Sequence, residues 1–220
     1  MHKAIEPSIL YFGTPVILIS STNEGGTYNV APMSSIFWLG WYGMLGLAAS
    51  SKTTQNMIRT GECVLNLASV REVAAVNRLA LTTGATPVPE SKRLRGYRFE
   101  SDKFGLAELT PVASKTVSAP RVQECPIQLE AELVAVHRMA EKSVDYHGRF
   151  VSIEVRIRHV YAEESLLVDG AANRIDPDKW RPLIMSFQKL YGLGSSSYQS
   201  ALAAIPEPLY GQPAHEKTWL

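Results

Sequence analysis

Along most of the chain, β-branched and aliphatic residues gather in short runs divided by Gly, Pro and Asn signals, and only two stretches carry a helical period. Residues 14–22, TPVILISST, read as a strand that turns at NEGGT and returns through YNVAPMSS as a hairpin. IFWLGW and GMLGLAAS form a second strand pair, with Gly40 and Gly43 punctuating the turn. Lys52 to Thr60 has helical composition and Gly61 supplies the stop, after which ECVLNLA is again a strand. REVAAVNRLALTTG places Val73, Val76, Leu79 and Ala80 on one face, predicting an amphipathic helix closed by Gly84. Residues 85–124 mix Pro, Lys, Arg and Gly with short apolar pieces. They predict an irregular excursion with one short helix, long enough to serve as a lid over something.

Two long strands follow. Ile127, Leu129, Ala131, Leu133 and Ala135 alternate with polar neighbours, and Val151, Ile153, Val155, Ile157 and Val160 do the same with a slip at the end. Such alternation predicts antiparallel strands with one wet face, joined through a turn at His147-Gly148. NRIDPDKWRPLIMSFQKLYGLG predicts a turn at Pro177 and then a short helix or irregular segment. The fold class expected is mainly β with helical additions, an antiparallel barrel with its pairings antiparallel throughout. One domain over residues 1–194 and a Ser-, Ala- and Pro-rich extension over 195–220, a candidate dimer arm, account for the 220 residues.

Composition narrows the function classes. Lys plus Arg is 22 and Asp plus Glu is 21, so no net field draws the chain to nucleic acid or to an anionic membrane. Gly40, Gly43 and Gly46 interrupt the longest apolar stretch, which makes it a strand pair rather than a membrane span. Cys63 and Cys125 lie in apolar strands, as buried free thiols of a reducing cytoplasm would, and the N-terminus has no apolar signal region. His137, His147 and His159 lack metal-ligand spacing, and no Ser-His-Asp order or G-x-S-x-G elbow supports hydrolysis. Trp180, Phe187 and Tyr191 read as packing aromatics.

Two segments carry candidate chemistry. Ser50, Ser51, Lys52, Thr53 and Asn56 gather hydroxyls, a cation and an amide where a strand enters a helix, and unpaired N–H groups at that helix start favour an anion. The same residues could simply cap the helix, and composition alone favours the cap. The P-loop glycine spacing is missing, which argues against ATP or GTP. In the second segment, Asn29-Val30-Ala31-Pro32-Met33-Ser34-Ser35, Pro32 removes a ladder donor. It marks an edge strand or a bulge whose polar side chains are free to turn toward a ligand.

Taken in order, N-V-A-P-M-S-S, then A-S-S-K-T-T-Q-N, then T-G-E-C-V-L-N-L, and much later A-N-R-I-D-P-D-K-W-R-P-L-I-M-S-F, the chain resembles the flavin reductase-like family. These are FMN-binding split β-barrels of Greek-key type, related to the flavoredoxins and to the reductase components of two-component monooxygenases. The resemblance spans about residues 8–193. It implies a homodimer that holds FMN, with Ser50, Ser51, Lys52, Thr53 and Asn56 at the phosphate. Asn29, Ala31, Pro32, Met33, Ser34 and Ser35 would lie along the ribityl chain and isoalloxazine. A Gly-Asp-His turn that places a histidine near the flavin in many relatives reads Tyr146-His147-Gly148 here, with the order changed.

The activity so implied is NAD(P)H-dependent reduction of flavin with onward electron transfer to a redox protein or monooxygenase. The alternative is a flavoredoxin-like carrier that binds FMN and oxidises NAD(P)H poorly. With no G-x-G-x-x-G fingerprint, a nicotinamide has to dock against the flavin itself. Pyridoxine phosphate oxidation ranks lower, because the sequence presents no basic cluster suited to a second phosphate.

Overall fold

The computed structural model describes residues 1–198 and 200–210. Strands β1 (Phe12–Pro15), β2 (Ile17–Thr22), β3 (Tyr28–Met33), β4 (Ile36–Leu39) and β5 (Tyr42–Ala48) precede helix α1 (Lys52–Thr60), strand β6 (Glu62–Leu67) and helix α2 (Val73–Leu79). The excursion holds β7 (Thr82–Thr83), α3 (Glu90–Arg93), β8 (Arg98–Phe99), α4 (Lys103–Ala107), β9 (Pro111–Val112) and β10 (Arg121–Val122). The long pair β11 (Ile127–Arg138) and β12 (Phe150–Ala162) leads to β13 (Leu167–Val168), β14 (Ala171–Ile175), β15 (Leu183–Ser186) and β16 (Lys189–Gly192).

The main sheet has seven strands in the order β3-β2-β6-β11-β12-β5-β4, every neighbour antiparallel. A single core joins Ile17 and Ile19 from one side of this sheet to Ile36, Leu45 and Leu47 from the other. Both sides can feed one core only if the sheet curls on itself, and bulges in the β11–β12 register supply local bending. The result is a split β-barrel. A second core packs Val16, Leu18 and Val30 under Val76, Leu79 and Phe104, so α2 and α4 cover the outer face of the β2–β3 hairpin. Pro32 sits on β3, an edge strand, as its missing N–H requires.

Several expectations change. Gly40, with φ 59°, makes the β4–β5 turn, whereas Gly43 lies inside β5. Helix α2 stops at Leu79 instead of Gly84, because the Thr82 hydroxyl donates to Leu79 O (2.9 Å) and Thr82-Thr83 then pair with β8. That two-residue pair is parallel, an exception to the antiparallel rule expected of the whole chain. Val73 is 38% exposed while Ala75, Val76 and Leu79 are buried. Ser69-Val70-Arg71-Glu72 forms a capping box that begins with a 3₁₀ turn and so sets a different helical phase.

The stretch around Pro177 leads into the hairpin β15–β16 rather than a helix. Its turn residues, Phe187 (φ 43°) and Gln188 (φ 65°), adopt a left-handed conformation that usually selects Asn-Gly, so the sequence carries no hairpin signal there. Phe187 is held by its ring against Phe12 and by its amide N–H to Tyr11 O (2.8 Å). The 207–210 turn is tied back to β14 by Arg174 and Glu207 (3.0 Å), and the rest of the proposed arm, 211–220, lies outside the described residues.

The polar face of β11 is not wet along its first half. Glu130 is 0% exposed, and its carboxylate accepts the amide N–H groups of Lys115 (2.8 Å) and Thr116 (2.7 Å) and the Thr116 hydroxyl. Burial would raise its pKa, but these bonds and one from Tyr161 outweigh it, and the carboxyl titrates below its ordinary value of 4.5. A carboxylate depressed in this way stabilises the fold above its ordinary pKa, and that stability is lost as pH falls through the lower folded value. Glu130→Gln should therefore cost about 1.5–3 kcal/mol at pH 7. It should also flatten the acid limb of the stability curve, which urea unfolding at pH 7 and at pH 4 will measure.

Candidate functional site

Where β3 passes α1, the barrel wall opens into a cavity of about 1000 Å³. That is at the top of the range of roughly 300–1,000 Å³ usual for small-molecule sites. Asn29, Ala31, Pro32, Met33, Ser34, Ser35, Ser51, Lys52 and Thr53 all line it, so the two segments singled out in the sequence meet in one place. Ser35 is drawn against β5, where Gly46 donates to Ser35 O (2.8 Å), and a Cβ on Gly46 would sit 3.3 Å from Ser35 Cβ.

The hydroxyls at the start of α1 divide their work. Ser51 is the N-cap: its Oγ accepts the Thr54 N–H (3.1 Å), and the Thr54 hydroxyl donates in turn to Ala48 O (2.9 Å). Thr53 Oγ1 accepts from Asn29 Nδ2 (3.1 Å), which leaves the Thr53 proton free to donate into the cavity. Asn29 is 2% exposed, and its Oδ1 has no hydrogen-bond partner. Nothing else at the site leaves so costly a vacancy: a buried acceptor without a donor calls for a ligand hydroxyl or N–H.

Two predicted residues fall elsewhere. Ser50 is exposed and does not line the cavity. Asn56, one helical turn beyond Thr53, is fully buried behind it; its amide donates to Ser21 Oγ (3.1 Å) and Asn23 Oδ1 (2.8 Å), clamping α1 to the β2–β3 turn. His147 lies in the exposed turn between β11 and β12, its Nδ1 3.0 Å from Glu141 O, off the cavity, although Met139 and Phe150 on either side of that turn line it.

The excursion contributes what the sequence reading missed. Lys92, Arg95 and Lys103 join Lys52 around the cavity, and among the described residues no Asp, Glu or His lines it. The basic cluster that the sequence did not present is thus assembled by folding from α1, α3 and its C-terminal turn, and α4. Lys92 Nζ lies 3.3 Å from Thr83 Oγ1. A Cβ on the adjacent Gly84 would stand 2.7 Å from Asn29 Oδ1 and 3.3 Å from Lys52 Cγ, so only glycine lets this backbone press so closely on both. Burial lowers the pKa of Lys92, with Arg95 adding to it, and brings that of Lys103 down to about 8 with Lys92 beside it. The remaining walls are apolar, among them Ile19, Leu47, Phe150 and Met185.

The donor set can be tested against the flavin mononucleotide that the sequence implies. A polyol hydroxyl suits the orphaned Asn29 Oδ1, a phosphate suits the cations and the α1 N-terminus, and an aromatic ring suits the apolar wall. The residues present fit the group.

A model of the flavin reductase like domain matches residues 9–190. The chain is 41% identical over 192 residues to "Uncharacterized protein YdfE" of Bacillus subtilis, covering 87% of this chain and 89% of that one. Among solved structures, flavoredoxin of Desulfovibrio vulgaris (Miyazaki F) superposes with a TM-score of 0.73 at 20% identity, covering 93% of this chain and 99% of the other. Nitrilotriacetate monooxygenase component B from Bacillus cereus gives 0.68 at 22% identity, covering 87% and 89%. At these identities the two structures speak to the fold.

Thr53 and Asn56, a single turn apart, should separate experimentally. Asn56→Ala should lower stability in urea by about 1–3 kcal/mol, the cost of its buried partners left unpaired, with little change in flavin mononucleotide affinity. Thr53→Ala should do the reverse, weakening that affinity by about 1.5–3 kcal/mol in a fluorescence titration.

Proposed function

This chain belongs to the flavin reductase-like family, and we propose that it binds FMN and catalyses NAD(P)H-dependent reduction of that flavin, with electrons passing onward to an acceptor protein. One observation carries the reading. The buried, partnerless Asn29 Oδ1 lies in the same cavity as the free Thr53 hydroxyl and a wall of lysines, a combination that suits a polyol phosphate.

In this reading Thr53 and Lys52 hold the phosphate, with the first-turn N–H groups of α1 and their dipole behind them. Asn29 takes a ribityl hydroxyl. Ala31, Pro32, Met33, Ser34 and Ser35 lie along the ring, and Leu47, Phe150 and Met185 exclude water from it. When bound, the flavin supplies the two-electron chemistry between a nicotinamide hydride and the onward acceptor. The cavity lining holds no carboxylate or imidazole among the described residues, which suits a hydride transfer that asks the protein for orientation rather than a general base.

A homodimer belongs to the same proposal. Edge strand β4 exposes Phe37 and Leu39, apolar side chains on one face of the sheet that a second copy would cover. Met139 and Phe150 are exposed and line the cavity, so a partner that covered them would also narrow its mouth. The likeness to a monooxygenase component B supports an oxygenase as one acceptor class, and the likeness to flavoredoxin supports a redox protein.

Anaerobic mixing of FMN-loaded protein with NADH or NADPH tests this. The absorbance near 450 nm is expected to bleach within turnover times of seconds, at about 1–10³ s⁻¹ for an ordinary enzyme. Bleaching slower than minutes with both nucleotides, but fast with a reduced redox protein, would convert the reading to that of a flavoredoxin-like carrier. Failure to bind FMN would end both.

A further inference from the structure

Resting on that reading, the tip of the β15–β16 hairpin has a role that packing does not explain. Phe187 (φ 43°) and Gln188 (φ 65°) both sit in the left-handed region, which glycine enters freely and other residues enter at a cost. For Phe187 the fold supplies the compensation. Its ring stands edge-on to Phe12 with centroids 5.0 Å apart, and its N–H donates to Tyr11 O (2.8 Å). Gln188 has no such support: its side chain is exposed and makes no hydrogen bond to any described residue. A glycine would close the same turn without the penalty, so the turn itself gives no reason for a side chain at this position.

The place of that side chain supplies a reason. Gln188 lines the cavity together with Met185 and Leu190, which face each other across the hairpin, and with Tyr11, whose carbonyl holds the tip. Met185 belongs to the apolar wall that covers the flavin ring in the proposed function, and Gln188 continues that wall three residues further along the hairpin. Tyr11 is 51% exposed, and its hydroxyl has no partner among the described residues. A primary amide offers two N–H donors and a carbonyl acceptor in one plane, and a phenol adds a hydroxyl that both donates and accepts. An exposed, unpartnered pair of this kind suits a molecule that comes and goes, whereas a resident cofactor is met by buried groups such as Asn29.

We propose that Gln188 and Tyr11 recognise the carboxamide of the incoming nicotinamide and so fix its ring against the flavin. A primary carboxamide presents the same donor and acceptor edge as Gln188, so the two exchange hydrogen bonds in one plane, and the Tyr11 hydroxyl donates to the carboxamide oxygen. Because the contact with Phe12 fixes the tip, the amide is in place before the substrate arrives, and little side-chain freedom is lost on binding. Hydride passes with its electron pair from the nicotinamide to the flavin, so the donor is oxidised and the flavin reduced. Gln188 and Tyr11 neither gain nor lose a proton; they set position alone.

The test titrates the FMN-loaded full chain by calorimetry with oxidised NAD and NADP, which bind without reacting. The same titration is made with analogues in which acetyl replaces the carboxamide and removes its N–H donors. Wild type is expected to bind the carboxamide form about 3–10-fold tighter, the worth of one hydrogen bond between neutral groups. Gln188→Leu should lose that discrimination while FMN affinity stays within about twofold, and KM for the reduced nucleotide should rise by about 3–10-fold with kcat little changed. Tyr11→Phe should weaken both forms alike, since both keep the carbonyl. Gln188→Gly should lose the discrimination too, yet unfold at a higher urea concentration because its backbone is relieved, which guards against a folding defect. Equal binding of the two forms by wild type, binding of neither, or discrimination that survives in Gln188→Leu would overturn the assignment. A parallel fall in FMN affinity would overturn it as well and move Gln188 to the flavin. If neither reduced nucleotide bleaches the FMN-loaded wild type, the functional reading itself fails, a result told apart because it needs no variant.

Discussion

The hydrogen bond from Asn29 Nδ2 to Thr53 Oγ1 is the constraint on which the site depends. It joins a strand edge to a helix start across a buried space, where a polar group left alone costs about 1–3 kcal/mol. Ser21 and Asn56 extend it into a small buried network, Ser21 Oγ receiving both asparagine amides. The network holds α1 against β3, and it leaves two buried acceptors, Asn29 Oδ1 and Asn56 Oδ1, without partners. Asn29 lines the cavity, and its Oδ1 lies beside Gly84. Of the two, only Asn29 belongs to the cavity lining, where a hydroxyl donor would satisfy it.

The same network explains which parts of the site could be read from the sequence. Alternation in the strands, the NEGGT turn and Gly61 gave the barrel, since each acts through local rules that survive folding. The segments 29–35 and 50–56 were legible as polar interruptions in strand and helix. Their division of labour was not. Whether a hydroxyl caps a helix, as Ser51 and Thr54 do, or turns to the cavity, as Thr53 does, depends on helical phase against a neighbouring strand. Asn56, one turn from Thr53, meets the β2–β3 turn rather than the cavity for that reason. The β15–β16 hairpin was hidden differently, since tertiary contacts of Phe187 hold a left-handed turn without Gly or Asn.

The basic wall was the least legible element, for a physical reason. Lys92 and Arg95 belong to one basic stretch, KRLRGYR, but Lys52 and Lys103 lie apart from it in the chain, so only folding brings the four together. Folding sorts them. Glu90 turns to Arg93 (3.7 Å) and Glu100 lies toward Arg98 (3.8 Å), while the four cations line the cavity without an acid among them. Net charge of +1 over the whole chain therefore coexists with a strongly cationic interior surface. Total charge excludes a long-range field; it says nothing about a cavity within a Debye length of its own walls.

Gly84 ties these parts together. Its backbone passes so close to the strand-helix junction that a Cβ there would stand 2.7 Å from Asn29 Oδ1. A larger residue there would push against the Asn29 acceptor and the Lys52 stem together, and so disturb both sides of the strand-helix junction. The helix expected to end at Gly84 ends five residues earlier, at Leu79, which frees this glycine from capping. Its small size then serves close approach rather than backbone conformation, and that approach brings two separate elements against one ligand.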